Sequence, residues 1–391
     1  MALRFKTLRR LALVSMLVLT VVEVLCRTLP LPDPRFQLLD HHKFSWEINA
    51  ETDRLLGFRL KKSMTAYGVR LNAFGFVGPE FEVPKPSGTF RIFCLGGSTT
   101  LGVGADGDRY AYPALLQQMF DRTVEGPARH VEVINGGVFG YNTIHTALRV
   151  TKRLDAFQPD MYVIMDGLND QGLAKALPLT KLVRLRKALD IPWEPRPPSY
   201  GFLAGVADSL PNLTSFVILR EYILAALGYQ ESGYGLTDVC GKVELLGYRK
   251  NLQVAINHAK RKGIVPVLVD EPMQTPALGN DCASPPEIGN PDLAELLSLC
   301  ARTIYSDNRA LSEANSVALV EPLATLMGVS RMPDTPRVWA DDLHLARYGN
   351  YLLAREIYRK LMGMQEIQAA TRSTSPLPDT VLDGMFQEIW K

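Results

Sequence analysis

The chain has 391 residues, 47% of them hydrophobic, and a formal net charge of +2, which suits one large globular domain or two modest ones. Arg4, Lys6, Arg9 and Arg10 place four positive charges in the first ten residues, which takes the remainder from +2 to −2. A nearly neutral body lacks the basic surface that tracks a phosphate backbone, so no nucleic-acid partner is expected.

In chain order, residues 1–10 read as a basic, cytoplasmic n-region. The run "LALVSMLVLTVVEVLC" at 11–26, broken only by Glu23, reads as a transmembrane signal-anchor helix. It is short for a span unless its flanks count. Basic residues before it hold the N-terminus in the cytoplasm and send the body across, and no A-x-A-like site follows that would favour a cleaved signal peptide. Residues 27–69, with "LPLPDPRF", read as a juxtamembrane spacer.

From there strands predicted at 90–95, 130–135, 160–165, 264–269 and 316–320 alternate with helices at 111–121, 142–156, 246–262, 292–314 and 347–362. This alternation implies an α/β domain, 70–363, with a parallel central sheet covered on both faces and a ligand site at the carboxyl ends of its strands. A largely helical insertion at 171–247 interrupts it, either packing on the sheet or covering the site. Residues 364–391 read as a tail with a linker and one docking helix. Of five cysteines, Cys26 lies in the apolar run and Cys94 in the first core strand, and two of Cys240, Cys282 and Cys300 can pair; the odd count forbids full pairing. No Cys/His spacing suggests a metal site.

The stretch "RIFCLGGSTTLGVG" at 91–104 ends a buried strand in two glycines and then presents Ser98. The glycines permit a tight turn, and two chemistries compete for it, a phosphate cradle and a serine nucleophile. "GVGADG" at 102–107 matches G-x-G-x-x-G, but six residues separate it from the strand, the second strand ends without an acid for a ribose, and there is no P-loop lysine. It reads as a turn.

A serine nucleophile needs a base, a group that orients the base, and donors for the oxyanion. "WADDLHLARYGN" supplies Asp341 and His344 just before the last helix of the domain, a spacing that lets the carboxylate reach Nδ1 and leaves Nε2 outward. Asp342 stands at spacing two. "VINGGVFGYNT" brings Gly140 after the second strand, where a bare backbone N–H can approach a ligand, and "MDGLND" brings the side-chain amide of Asn169 after the third.

Taken in order, these blocks resemble those of the SGNH/GDSL hydrolase superfamily: Ser98 in "LGGSTTLG", Gly140 in "VINGGVFGYNT", Asn169 in "DGLND", and Asp341 with His344 in "DDLH". "NAFGFVGPE" at 72–80 is similar to the lead-in of membrane-anchored or secreted bacterial members. The chain departs from the Gly-Asp-Ser form by having Gly97 where aspartate is common. The resemblance implies a flavodoxin-like three-layer α/β/α sandwich whose Ser98 attacks an acyl carbonyl, with His344 as base and Asp341 holding it. The Ser98 and Gly140 N–H groups and the Asn169 amide would bind the oxyanion, and no cofactor is implied. A G-x-S-x-G elbow is absent, which argues against the α/β-hydrolase fold.

The expected activity is extracytoplasmic hydrolysis of a carboxylic ester in a small molecule, lipid or acylated glycan. The alternatives are an O-acyltransferase using the same triad on an envelope glycan and a non-catalytic glycan-binding relative.

Overall fold

The computed structural model describes residues 2–28, 50–53, 55–66, 69–124, 130–170, 247–273, 291–341 and 344–390. The chain divides into two compact units, 1–40 with 177–233, and 41–176 with 234–391. In the first unit the described element is helix α1 (Ala2–Thr28), where Leu11, Leu13, Val14, Met16, Leu17 and Val18 are exposed. The apolar run is helical as expected, but the expected transmembrane span is not found. Its sixteen residues rise about 24 Å at about 1.5 Å each, short of about 30 Å of hydrocarbon unless the flanking residues of the 27-residue α1 are counted. Among the described residues no helix is long and apolar enough to cross a membrane.

The second unit is built on five parallel strands, β5 (Thr89–Gly96), β6 (His130–Gly137), β7 (Met161–Met165), β8 (Val265–Val269) and β9 (Ala318–Val320), in spatial order β6-β5-β7-β8-β9. The chain thus leaves β5 to one side for β6 and to the other for β7, and ligands bind at the carboxyl ends of strands where the order reverses in this way. Side chains alternate between two apolar layers, because successive residues of a strand face opposite sides. Ile92, Cys94, Met161, Val163 and Val267 join one core cluster, and Phe93, Leu95, Tyr162, Ile164 and Leu268 join the other.

Helices α3 (Tyr112–Asp121) and α8 (Arg347–Met362) bury Leu116, Phe120, Leu353 and Tyr358 in the first layer. Helices α4 (Thr143–Lys152), α5 (Tyr248–Arg261) and α6 (Pro291–Asn315) bury Val150, Leu252, Ile256 and Ile304 in the second. The result is a three-layer α/β/α fold. Between these elements lie α2 (Ser98–Leu101) and α7 (Leu323–Ser330).

Two regions differ from the expected boundaries. Part of the expected spacer at 27–69 forms antiparallel hairpins, β1 (Ala50–Asp53) with β2 (Gly57–Leu60) and β3 (Met64–Ala66) with β4 (Val69–Leu71). The Asp53 carboxylate accepts the Leu55 and Leu56 N–H groups at 2.8 and 3.0 Å, and the Phe58 carbonyl accepts the Tyr141 hydroxyl at 2.6 Å. Three- and four-residue strands give too little alternation to be read from sequence. The tail forms α9 (Gln365–Thr371) and α10 (Asp379–Trp390), and Leu382, Met385 and Phe386 enter the core beside Tyr351 and Tyr358. The insertion at 171–247 lies outside the described residues except for Gly247, as do Cys240 and Cys282 and with them the disulfide expectation. Cys94 is buried and free.

Behind the carboxyl ends of β7 and β8 lies a layer of four buried carboxyl groups, Asp166, Asp170, Asp270 and Glu271, each no more than 3% exposed. Burial pushes Asp166 up to about 6, against a hydrogen bond from Thr146 and the charge of Arg149. Burial and the neighbouring Asp166 charge push Asp170 up to about 8. Burial likewise raises Asp270 and Glu271 to about 7, opposed by Asn308 and by the Leu168 N–H and Thr99 hydroxyl respectively.

Each folded value lies above the ordinary carboxylate range, so the folded state holds protons that the unfolded chain has released. The stability these groups contribute is complete below about pH 4 and is lost as pH rises through about 6 to 8. The thermal midpoint is therefore expected to fall across that window, and Asp170→Asn to flatten its upper part. A wild-type profile that is level from pH 5 to 8 contradicts this account.

Candidate active site

The site begins where β5 meets α2. A Cβ at Gly96 would lie 2.3 Å from the Met165 carbonyl and 2.3 Å from Thr100 Oγ1, and one at Gly137 only 2.1 Å from the Leu101 nitrogen. Only glycine lets the single turn of α2, through Thr100 and Leu101, settle directly on the ends of the strands. That close approach brings Ser98, the first residue of α2, to the strand ends with 4% of its surface exposed. The opening N–H groups of a helix have no partner within the helix, so the Ser98 backbone is a donor at that place.

The base arrives from the far end of the sequence. A short loop before α8 is held by hydrogen bonds from Ala340 N–H to the His344 carbonyl (2.8 Å) and from Ala346 N–H to the Val338 carbonyl (2.9 Å). Gly104, at φ +85°, abuts it: a Cβ there would lie 2.6 Å from Ala340 Cβ and 3.3 Å from His344 Cβ. The "GVGADG" stretch is thus a turn that braces the histidine loop.

His344 Nε2 stands 2.9 Å from Ser98 Oγ, and His344 Nδ1 stands 2.8 Å from Asp341 Oδ2. Asp341 Oδ1 also accepts the His344 backbone N–H at 2.7 Å, which fixes the carboxylate to the residue it orients. The histidine side chain is 13% exposed and the aspartate 56%, so the relay opens to water at its acid end. Asp342 lies outside the described residues.

The two remaining predicted residues reach the same turn from β6 and β7. Gly140 is buried at φ +77°, a left-handed conformation that suits glycine. The next residue, Tyr141, accepts the Asn169 side-chain N–H on its carbonyl at 2.7 Å. A Cβ on Gly97 would lie 2.4 Å from Asn169 Nδ2 and 3.1 Å from the Tyr141 carbonyl. The Asn169 amide therefore lies against the backbone that leads into Ser98, where glycine replaces the common aspartate. A primary amide has two N–H donors; one is held by Tyr141 and the other is available to an oxygen bound at the turn.

Ser98, His344, Asp341, Gly140 and Asn169 are thus gathered around one turn. Sequence reading did not single out Tyr141, whose ring stacks on His145 with centroids 4.2 Å apart. It also missed Glu271, which accepts hydrogen bonds from the Thr99 hydroxyl and the Leu168 N–H, both at 2.8 Å. A signal for the second was present, since "VLVDEP" ends a core strand in two acids.

Residues 94–352, about two thirds of the chain, match the GDSL-like Lipase/Acylhydrolase family. Among solved structures the fold is similar to a lipase/acylhydrolase from Enterococcus faecalis, at 16% identity and a TM-score of 0.39, covering 70% of this chain and 95% of that one. It is similar also to the psychrotrophic esterase EstA from Pseudoalteromonas sp. (14% identity, 69% and 96% covered, TM-score 0.38). A third is a member of the lipolytic protein G-D-S-L family from Veillonella parvula (14% identity, 68% and 95% covered, TM-score 0.38). No curated protein matches the sequence. With its family blocks converging on one serine, the chain belongs to the GDSL-like lipase/acylhydrolase family and is a serine hydrolase that acts on esters.

Proposed function

We propose that the protein hydrolyses a carboxylic ester through an acyl-enzyme on Ser98. The observation that carries this reading is the continuous relay from Ser98 Oγ through His344 to Asp341, with hydrogen bonds of 2.9 and 2.8 Å.

A hydroxyl is a weak nucleophile until a base takes its proton as the bond to carbon forms. His344 Nε2 accepts that proton while Ser98 Oγ attacks the acyl carbon, and the Asp341 carboxylate steadies the imidazolium. The carbonyl oxygen takes the electron pair and is held by the Ser98 and Gly140 N–H groups and the free N–H of Asn169. Collapse of the tetrahedral species expels the alcohol, which leaves with the proton from His344. Water, deprotonated by the same His344, then attacks the acyl-serine, releasing the acid and restoring Ser98.

The substrates in view are small esters, lipids and acylated glycans. If a glycan hydroxyl takes the place of water, the product is a transferred acyl group, and mass analysis of products with both acceptors present separates the two. The same reading has α1, whose exposed apolar side chains follow a basic segment, hold the protein at a membrane with the catalytic body outside the cytoplasm, the residues flanking the short apolar run being counted toward the span. This placement rests on the sequence order of basic and apolar residues. External protease is expected to digest the body in intact spheroplasts; full protection contradicts the location.

With p-nitrophenyl acetate as substrate, Ser98→Ala is expected to lower kcat by about 10⁴- to 10⁶-fold. Asn169→Ala should lower kcat by about 10²- to 10³-fold, the scale of one oxyanion donor; a change confined to KM would make Asn169 a substrate-binding residue instead. Asp341→Asn should cost up to about 10⁴-fold by losing the group that sets the imidazole tautomer. Asp342→Asn should cost little, and the reverse pattern would move the acid role to Asp342.

A further inference from the structure

Glu271 follows β8 and is 2% exposed. One carboxylate oxygen accepts the Thr99 hydroxyl and the other accepts the Leu168 N–H, each at 2.8 Å. Thr99 is the neighbour of Ser98 and Leu168 the neighbour of Asn169, so one rigid group joins the chain beside the nucleophile to the chain beside the side-chain oxyanion donor. Its own backbone is fixed, because the Tyr305 hydroxyl donates to the Glu271 carbonyl at 2.8 Å. Ile304 packs under the same loop, 3.1 Å from where a Cβ would stand on Gly167. The carboxyl group cannot drift without moving either α6 or the strand end.

We propose that Glu271 is a positioning residue for ester hydrolysis, setting the distance between the Ser98 turn and the Asn169 amide across which the oxyanion is held. This inference rests on the roles given above to Ser98 and Asn169. The physical reason lies in where the charge develops. A ground-state carbonyl tolerates loosely placed donors, whereas the oxyanion of the transition state gains most from donors already aimed at it. Slackening the bridge therefore lowers kcat and leaves KM nearly unchanged. Burial and the two donated hydrogen bonds act in opposite directions on the carboxyl group, and burial prevails. Its function as a bridge depends on two hydrogen-bonding atoms at fixed spacing, one of them facing a hydroxyl that can donate or accept, rather than on full charge. A glutamine can keep the bridge by accepting from Leu168 through its carbonyl and donating to Thr99 Oγ1 through its amide.

The test uses the full chain with p-nitrophenyl acetate. Glu271→Ala is expected to lower kcat by about 10- to 10²-fold, the cost of a reacting geometry displaced by about an ångström, with KM within about twofold. Glu271→Gln is expected to restore kcat to within about threefold of wild type, since both hydrogen-bonded links can re-form. In an Asn169→Ala background the Glu271→Ala loss is expected to shrink by about fivefold or more, because residues that act as a unit are not additive.

Thr99→Val, close in shape, breaks only the link to the nucleophile turn. It is expected to lower kcat alone, and it decides the matter if Glu271→Ala fails to fold. Unchanged kcat in folded Glu271→Ala or Thr99→Val, a loss confined to KM, or full additivity with Asn169→Ala overturns the proposal. Activity that persists in Ser98→Ala is a different result, which removes the site assignment itself.

Discussion

The close seating of α2 on the ends of β6 and β7 is the constraint on which the rest of the structure depends. Parallel strands cannot be joined by a short turn, so each returns through a helix, and β6, β5 and β7 lie side by side with their carboxyl ends level. Ser98, Gly140 and Asn169 follow those three ends. They meet only because Gly96, Gly97 and Gly137 leave no side chains between them, with virtual Cβ contacts of 2.1 to 2.4 Å to backbone or to the Asn169 amide. That packing is why the buried strand β5 ends in two glycines before a hydroxyl. A larger residue would hold the serine away from its partners.

The second feature is a division of labour by environment. The relay residue nearest the serine is mostly covered, while Asp341 is more than half exposed and owes its orientation to the His344 backbone N–H. Behind the strands the opposite holds. Asp166, Asp170, Asp270 and Glu271 are buried, are bonded to Thr146, Thr143, Asn308 and Thr99, and carry raised titration points. This polar layer ties loop to loop through bridging acceptors where an apolar layer would give packing without direction. Its cost is protonation coupled to folding.

The strands were legible because buried parallel strands read as short apolar runs, and the five predicted runs fall within two residues of the observed β5 to β9 at either end. Four of the site blocks were legible for a related reason: each stands at a strand end or helix start, and the D-x-x-H spacing carries its own geometry. The hairpins at 50–71 were not, since their strands are three or four residues long, and the first is held at Asp53 and Phe58 by Arg153 and Tyr141 from distant parts of the chain. Glu271 was missed because its partners, Thr99 and Leu168, are separated from it by 172 and 103 residues. No local pattern encodes that meeting. The apolar run at 11–26 is helical as read, while no helix among the described residues is long and apolar enough to cross a membrane.

The central claim is that Ser98 is the covalent nucleophile. The most direct measurement is the mass of the full chain after reaction with a fluorophosphonate, followed by peptide mapping of the adduct. The account predicts one phosphonyl group per chain, carried by Ser98, with ester turnover lost in proportion to labelling. An adduct on another residue, or turnover that survives complete modification of Ser98, would contradict it.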